Sequence, residues 1–281
     1  MVPRSLDEFQ RPTAAELRLA FQLIRPWKWL TNPVFRGIDR IPSDRPLLFV
    51  GNHTLYGILD VPLLFQHLLE EERIFLRALG DHLHFKVPYW GDLLEKFGVV
   101  DGTRENCSAL MSAGESVLVF PGGAREVAKR KGEKYKLIWQ NRLGFARMAI
   151  RHNCTIVPFA AIGVEDALDI VLDTDELMKT PARYLIETFD IRESAIPPIV
   201  KGWGPTPFPR SERIYFEVLE PIRIPSGCSE TDDAAVVAIR DQTRHAIESG
   251  IDALLAFQAS DPERTRWRAM ARQLNPWNPE S

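Results

Sequence analysis

The chain contains 281 residues with a formal net charge of −3, 45% hydrophobic residues and 26% charged residues. This composition excludes long disorder, and the slight acidic excess excludes the basic surface that a nucleic-acid partner requires. Three scattered cysteines exclude a disulfide framework and indicate a reducing compartment. No apolar run approaches the ~20 residues of a membrane-spanning helix. We therefore expect a single cytoplasmic domain that can associate peripherally with a membrane.

Residues 1–33 predict an amphipathic helical segment. Leu17, Phe21 and Ile24 recur at helical spacing. The aromatic and basic residues that follow are Arg25, Trp27, Lys28 and Trp29. Two interpretations remain open. The helix packs on the body of the protein, or it lies in a membrane interface, with tryptophan at headgroup depth and basic side chains reaching phosphates.

From residue 46 to about 165 the chain alternates short apolar runs with longer amphipathic ones. The apolar runs predict strands at 47–51, 74–79, 97–100, 117–120 and 155–161. The amphipathic segments predict helices at 61–72, 104–113 and 136–152. This order predicts a single α/β domain with a mostly parallel central sheet flanked by helices. In such a sheet, ligands bind at the carboxyl ends of the strands.

The chain changes character after residue 165. Residues 166–212 carry many prolines and glycines, which exclude regular structure and indicate a surface excursion that could form a lid. A strand at 213–220 and a helix at 231–257 follow. We therefore assign residues 34–260 to one domain and residues 261–281 to a mobile tail with a short helix.

The most informative stretch is GNHTLYGILD, which begins where a predicted strand ends. Asn52 and His53 open its loop, Gly57 permits a bend, and Asp60 closes it. A histidine in such a loop, with a carboxylate nearby, is the arrangement that a general base requires. Asp60 has a second interpretation as the N-cap of the helix that follows.

A second signal is an apolar strand followed by Pro-Gly-Gly-Ala-Arg-Glu. Gly122 and Gly123 let the backbone approach a ligand closely, and their N–H groups could face an oxyanion. Arg125 would supply a fixed cation to the same space. The alternative is an ordinary strand-to-helix turn in which Arg125 pairs with a surface carboxylate. Further along, Pro158 cannot donate to a ladder, which predicts a strand end or a sheet edge at that residue.

The order of four blocks resembles the glycerolipid acyltransferase superfamily. The blocks are NHTLYGILD, GVVDGTREN, LVFPGGARE and IVPFAAIG, and the resemblance covers roughly residues 34–165. The Pro-Gly-Gly of the third block is most similar to the branch that contains diacylglycerol acyltransferases and phytyl ester synthases. The resemblance implies transfer of a fatty acyl group from acyl-CoA or acyl carrier protein to a lipid hydroxyl at a membrane surface, without a further cofactor.

The resemblance also implies roles for residues. His53 would be the general base, and Asp60 would orient its imidazole. The implied substrate-binding residues are Asn52, Arg104, Gly122, Gly123 and Arg125. The family spacing places the acid where this chain has Ile58, two residues before Asp60. A straight helix would separate His53 and Asp60 by roughly 10 Å, whereas a bend at Gly57 could bring them together.

The third block bears on the acceptor as well. Family members that acylate glycerol phosphates carry Glu and Thr where this chain has Gly122 and Ala124. The departure favours a neutral acceptor such as diacylglycerol, monoacylglycerol or a long-chain alcohol. The alternatives are a lysophospholipid acyltransferase with a phosphate-bearing acceptor, a hydrolytic thioesterase, and a catalytically silent lipid-binding protein on the same scaffold.

His82 and His84 are a further pair of possible metal ligands, since they could share one face of an extended segment. The sequence offers no clear third ligand beside them. The implied acyl transfer requires no metal, so we expect no metal site.

Overall fold

The computed structural model describes residues 11–87, 89–188, 192–193, 196–264 and 270. A seven-stranded sheet has the order β1-β9-β6-β2-β5-β3-β4. Its strands are β1 (Val34–Arg36), β2 (Leu47–Gly51), β3 (Leu76–Gly80), β4 (Val99–Asp101), β5 (Ser116–Val119), β6 (Thr155–Ile162) and β9 (Tyr215–Val218). All neighbours pair in parallel except β6 and β9. This is the mostly parallel α/β architecture that the sequence predicts.

Helices cover both faces of the sheet. They are α1 (Ala14–Thr31), α2 (Val61–Glu70), α3 (Trp90–Lys96), α4 (Arg104–Ser112), α5 (Gly123–Val127), α6 (Gly144–Arg151), α7 (Val164–Ala167), α8 (Thr174–Leu177), α9 (Ala182–Thr188) and α10 (Asp233–Ser260). Alternate residues of β2 belong to different core clusters, with Leu48 and Val50 in one and Leu47 and Phe49 in the other. Because β2 is buried on both faces, the loop that follows it begins from a rigid position.

Helix α1 packs on the domain through one face and leaves another exposed. Thr13 and Glu16 form a capping box at its start. The Trp27 indole donates a 2.6 Å hydrogen bond to the carbonyl of Leu59, in the loop before α2. In contrast, the side chains of Leu19 and Leu23 are 58% and 73% exposed. No helix among the described residues is long and apolar enough to cross a membrane.

Several predicted elements are confirmed, with shifted ends. The predicted strand at 47–51 agrees with β2, and the helix predicted at 231–257 is α10. The helix predicted at 136–152 is wrong in its first half, since α6 begins only at Gly144. Before it, Leu137 and Trp139 are buried in the core from irregular backbone, so their apolar character does not reflect helical periodicity. Most of the predicted tail lies outside the described residues.

The prediction for Pro158 is also wrong. Pro158 lies inside β6, which runs between β2 and β9 in the middle of the sheet. Its carbonyl accepts from the N–H of Leu219, just past the end of β9. The regular ladder to β9 begins only at Phe159, and an isolated bridge joins Ile156 to Ile222. The missing N–H therefore falls in a gap of the ladder, which lets a central strand contain proline.

Residues 166–212 contain more regular structure than predicted. Strands β7 (Asp169–Leu172) and β8 (Ile199–Lys201) form an antiparallel pair, and the short helices α8 and α9 lie between them. The prolines cluster before and after β8, so they lie outside this strand and do not prevent it from forming. This excursion touches the loop after β2, because the Tyr56 hydroxyl donates to the carbonyl of Pro198 at 2.5 Å.

We expect α10 to be an integral part of the core. Ile247 is fully buried on its inner face, whereas Gln242 is exposed on the same helix. Ile247→Ala should lower the free energy of unfolding in urea by about 2–5 kcal/mol, because it leaves a cavity. Gln242→Ala should change it by less than about 0.5 kcal/mol. Equal effects of the two substitutions would contradict a packed α10.

Candidate active site

Two loops meet at the carboxyl ends of neighbouring central strands. Strands β2 and β5 are parallel and in register at Val50 and Val119, so the loop of residues 52–60 and the turn of residues 120–123 leave the same edge of the sheet. The two strongest sequence signals therefore converge, as predicted from the carboxyl-end rule. The His53 ring stacks on Phe120 of the second loop with 3.9 Å between ring centroids.

Asn52 anchors the first loop to strand β6. Its side-chain amide donates to the carbonyl of Ala161 and accepts from the N–H of Ala161, both at 2.8 Å. Asn52 is 1% exposed, and both ends of its amide are used by the backbone. In this structure Asn52 fixes the loop. A role in substrate binding stays a prediction.

His53 sits in a partly buried position that keeps its imidazole neutral. Burial lowers the pKa of His53 to about 3, with smaller contributions from Lys129 and His84. Nδ1 is buried and has no hydrogen-bond partner among the described residues. Gly57, at φ +64°, lies so close that a Cβ there would come within 2.0 Å of Cε1 of the imidazole. Only glycine fits at this bend.

Asp60 lies at the start of α2 but does not bond to His53. Its carboxylate is 2% exposed, and Oδ1 is buried without a hydrogen-bond partner within the described part of the chain. Burial raises the pKa of Asp60 to about 6, while Thr54 and nearby amides oppose the shift. The side chain makes no capping bond either. Asp60 therefore occupies the N-cap position of α2 without a capping bond, and its role in orienting His53 stays a prediction.

The third-block turn is less open than its glycines suggest. The N–H of Gly123 donates to the carbonyl of Phe120 at 2.9 Å, so it is used within the turn. Arg125 forms a two-pronged ion pair with Glu133, with separations of 2.9 Å and 2.5 Å. This pair corresponds to the structural alternative for Arg125. Arg104 lies at the exposed start of α4, and its predicted substrate contact stays a prediction.

A different arginine lies beside this turn. Arg142 is exposed, and its Nη1 donates to the carbonyl of Pro121 at 2.9 Å. A Cβ at Gly123 would come within 2.6 Å of the same nitrogen. No carboxylate pairs with Arg142 in the part of the chain that the structure describes. Nothing in the sequence selects Arg142, because 14 residues of irregular backbone, 128–141, separate it from α5.

Glu126 is a second residue that the sequence analysis did not single out. Its side chain is fully buried, and it accepts from the N–H of His53 at 3.1 Å and from the N–H of Ile138 at 3.2 Å. Burial raises the pKa of Glu126 to about 7. The sequence shows Glu126 within the third block, but a five-residue helix is too short for periodicity to reveal an inward side chain.

Lys129 completes a buried charged cluster below His53. It is 2% exposed, donates to the carbonyl of His53 at 2.6 Å, and lies 2.9 Å from the carboxylate of Glu165. Glu165 also accepts from the N–H of Tyr135. The cluster therefore joins the first loop, the third block and the start of α7. In the sequence Lys129 belongs to a basic run that is typical of an exposed segment.

The described residues contain no group of three or more His, Cys, Asp or Glu side chains placed to hold a metal ion. His82 and His84, the pair considered from sequence, have other neighbours. His82 lies 3.8 Å from Asp81, and His84 accepts from the indole of Trp90 at 3.2 Å. The structure therefore gives these two histidines surface contacts rather than a common ligand position.

Comparison with known proteins places this site in a family. Phytyl ester synthase 1, chloroplastic, of Arabidopsis thaliana is 31% identical over 252 residues, which cover 83% of this chain and 35% of that protein. The "DGAT1/2-independent enzyme synthesizing storage lipids" of Bos taurus is 33% identical over 128 residues, covering 43% and 36%. This chain thus spans about a third of the length of these relatives.

Among solved structures, the 1-acyl-sn-glycerophosphate (LPA) acyltransferase PlsC from Thermotoga maritima aligns with a TM-score of 0.49. That alignment has 17% identity and covers 83% of this chain and 79% of the other. The family model described as Acyltransferase matches residues 32–162, which include both loops of the candidate site. The chain belongs to the acyltransferase family.

Proposed function

We propose that the chain is an O-acyltransferase that moves a fatty acyl group from acyl-CoA or acyl carrier protein to the hydroxyl of a neutral lipid. The observation that carries this proposal is the position of His53, at the carboxyl end of β2 and stacked on Phe120. A neutral imidazole lies at the carboxyl end of the central strand, beside the third-block turn, and its pKa is lowered to about 3. An imidazole with this pKa is neutral at pH 7 and has a free lone pair, but it is a weak base, so an ionised Asp60 brought beside it would be needed to raise its pKa towards the range of a general base.

The reaction needs one base and no covalent enzyme intermediate. Of the two ring nitrogens of His53, only Nδ1 is both buried and unpaired. Nε2 would take the acceptor's hydroxyl proton as that oxygen attacks the thioester carbonyl carbon. Collapse of the tetrahedral intermediate then breaks the carbon–sulfur bond, and the imidazolium returns the proton to the departing thiolate.

Asp60 would support the imidazolium that forms during the reaction. Its Oδ1 and Nδ1 of His53 are both buried without partners, so each has an unmet need for a hydrogen bond. Catalytic hydrogen bonds are often long in unliganded sites and tighten only when substrate binds. We propose that substrate binding moves the loop at Gly57 and brings these two atoms together.

A neutral acceptor fits the charges around the turn. The guanidinium of Arg125, which would otherwise be available to a phosphate, is held by Glu133. A phosphate-bearing acceptor is the second candidate, and the observation that favours it is exposed Arg142 beside Gly123. Release of free thiol with a panel of acceptors, comparing diacylglycerol and long-chain alcohols with lysophosphatidate, decides between the two.

The acceptor would be taken from a membrane surface, and α1 is the proposed contact. Exposed Leu19 and Leu23 lie one turn apart, and exposed Trp29 follows on the same helix near Arg25 and Lys28. Apolar and indole side chains with flanking cations are typical of helices that lie in a bilayer interface.

Removal of the base should abolish the reaction. We expect His53→Ala to lower acceptor-dependent thiol release by about 10²–10⁴-fold. His245→Ala, at an exposed position of α10, is the matched control and should retain activity. Undiminished release after His53→Ala would overturn the proposal. Absence of release with every acceptor would favour the silent lipid-binding protein, whereas release without an acceptor would indicate a thioesterase.

The pH dependence of kcat/KM, which reports the pKa values of the free enzyme, tests Asp60. His53 stays neutral above about pH 4, so the acid limb should follow Asp60, whose pKa is about 6. Activity should therefore fall as the pH drops through 6 and Asp60 becomes protonated. Asp60→Asn should remove that limb and lower kcat at pH 8 by about 10²-fold. The control is Asp92→Asn, at an exposed position of α3. An unchanged pH profile in Asp60→Asn would show that Asp60 does not support His53 and only begins α2.

Membrane contact through α1 can be tested without deleting the helix. The double variant Leu19→Ser, Leu23→Ser should sediment at least about tenfold more weakly with phosphatidylcholine–phosphatidylglycerol vesicles, because each buried leucine contributes about 1.5–3 kcal/mol. Phe208→Ser is the matched control, since Phe208 is as exposed as Leu19, at 58%. Equal sedimentation of wild type and double variant would reject α1 as the contact.

A further inference from the structure

We propose that Glu126 and Lys129 are positioning residues that hold the backbone N–H and C=O of His53, one on each side of its Cα. The inference rests on the proposed function, in which His53 is the base. Glu126 accepts from the N–H of His53 at 3.1 Å, and Lys129 donates to its carbonyl at 2.6 Å. We call this pair of contacts the His53 clamp.

The clamp is itself anchored on its far side. The second carboxylate oxygen of Glu126 accepts from the N–H of Ile138, and Lys129 pairs with Glu165 at 2.9 Å. Both clamp side chains are almost completely buried, at 0% and 2% exposure. Neither can rotate away without leaving a buried charge or polar group unpaired, which is costly. The clamp is therefore a rigid support for the loop.

The His53 ring has little else to hold it. No carboxylate in the described part of the chain bonds to its nitrogens, and its ring contacts are stacking on Phe120 and the close approach of Gly57. Stacking permits sliding, so the orientation of the ring depends on the backbone from which it projects. A displacement of 1 Å in a reacting group can cost about 10²-fold in rate. The clamp holds the backbone of His53, whereas Asp60 forms no hydrogen bond to Nδ1 of the ring.

The glycine at position 122 fits the same arrangement. A Cβ on Gly122 would come within 2.3 Å of a Glu126 carboxylate oxygen and within 2.5 Å of the Glu126 Cβ. The space where a side chain at position 122 would begin is therefore occupied by the side chain of Glu126. The Pro-Gly-Gly turn is thus a requirement of the clamp, in addition to any effect on acceptor choice.

The charges are hard to explain as a stability device alone. Desolvation of buried ion pairs often cancels their attraction, and apolar residues of similar size can stabilise a core equally well. Here two acids and one lysine are buried directly below the base, where burial raises the pKa of Glu126. Apolar side chains could not provide what this arrangement does, which is one hydrogen bond to the backbone N–H of His53 and one to its backbone C=O.

The test compares two buried carboxylates. Glu126→Gln removes one acceptor oxygen from the clamp. Asp261→Asn alters a carboxylate that is 7% exposed and binds Arg213 and Tyr215, with no contact to the His53 loop. Both should lower stability towards urea. Only Glu126→Gln should lower kcat, by about ten- to 10²-fold with KM nearly unchanged, because the base is displaced while the substrate site remains. Lys129→Met is a second variant that breaks the other side of the clamp and should act in the same way.

A second readout does not depend on activity. Modification of His53 by diethyl pyrocarbonate, followed by mass spectrometry, should be about threefold faster or more in both clamp variants, since the loop opens locally. Asp261→Asn should leave this rate unchanged. Wild-type modification and kcat values in folded clamp variants would overturn the positioning role. If the wild type transfers no acyl group to any acceptor, the proposed function fails, while the labelling comparison still decides whether the clamp holds His53.

Discussion

A hydrogen bond from the backbone of His53 to the buried carboxylate of Glu126 joins the two loops on which the site depends. One loop continues the central strand β2, and the other continues its neighbour β5. Parallel strands place the loops at one edge, but they do not fix the loops against each other. Buried side chains do so: Asn52 binds β6, and Lys129 binds the His53 carbonyl. The sheet determines where the two loops lie, and these hydrogen bonds hold the loops in fixed positions relative to each other.

Burial also sets the protonation states at this edge of the sheet. It lowers the pKa of His53 to about 3 and raises those of Asp60 and Glu126 to about 6 and 7. All three shifts favour the neutral form, as expected where water is largely excluded. These neutral forms agree with the proposed transfer of an acyl group to a neutral acceptor.

Hydrophobic periodicity predicted the central strands, α10 and the convergence of the two loops, because buried parallel strands leave a continuous apolar signature. It did not predict the interior position of Pro158, which depends on a gap in the neighbouring ladder. Nor could it find Glu126 or Lys129, whose burial depends on partners distant in sequence. The four-block resemblance selected His53, which lies in one of the two converging loops, and its role as the base stays a prediction. The sequence could not show whether the bend at Gly57 joins Asp60 to His53, and in the structure Nδ1 of His53 and Oδ1 of Asp60 have no hydrogen-bond partner among the described residues.

The bond between the Trp27 indole and the carbonyl of Leu59 has a practical consequence. It ties α1 to the residue just before Asp60, so the first helix is part of the support of the catalytic loop. A shortened protein that starts after α1 would lack this support of the loop before α2. Its site would therefore differ from that of the full chain. It would lose a hydrogen bond and the packing of an aromatic side chain beside the site. Loss of activity after this truncation would therefore not show that α1 contacts a lipid surface.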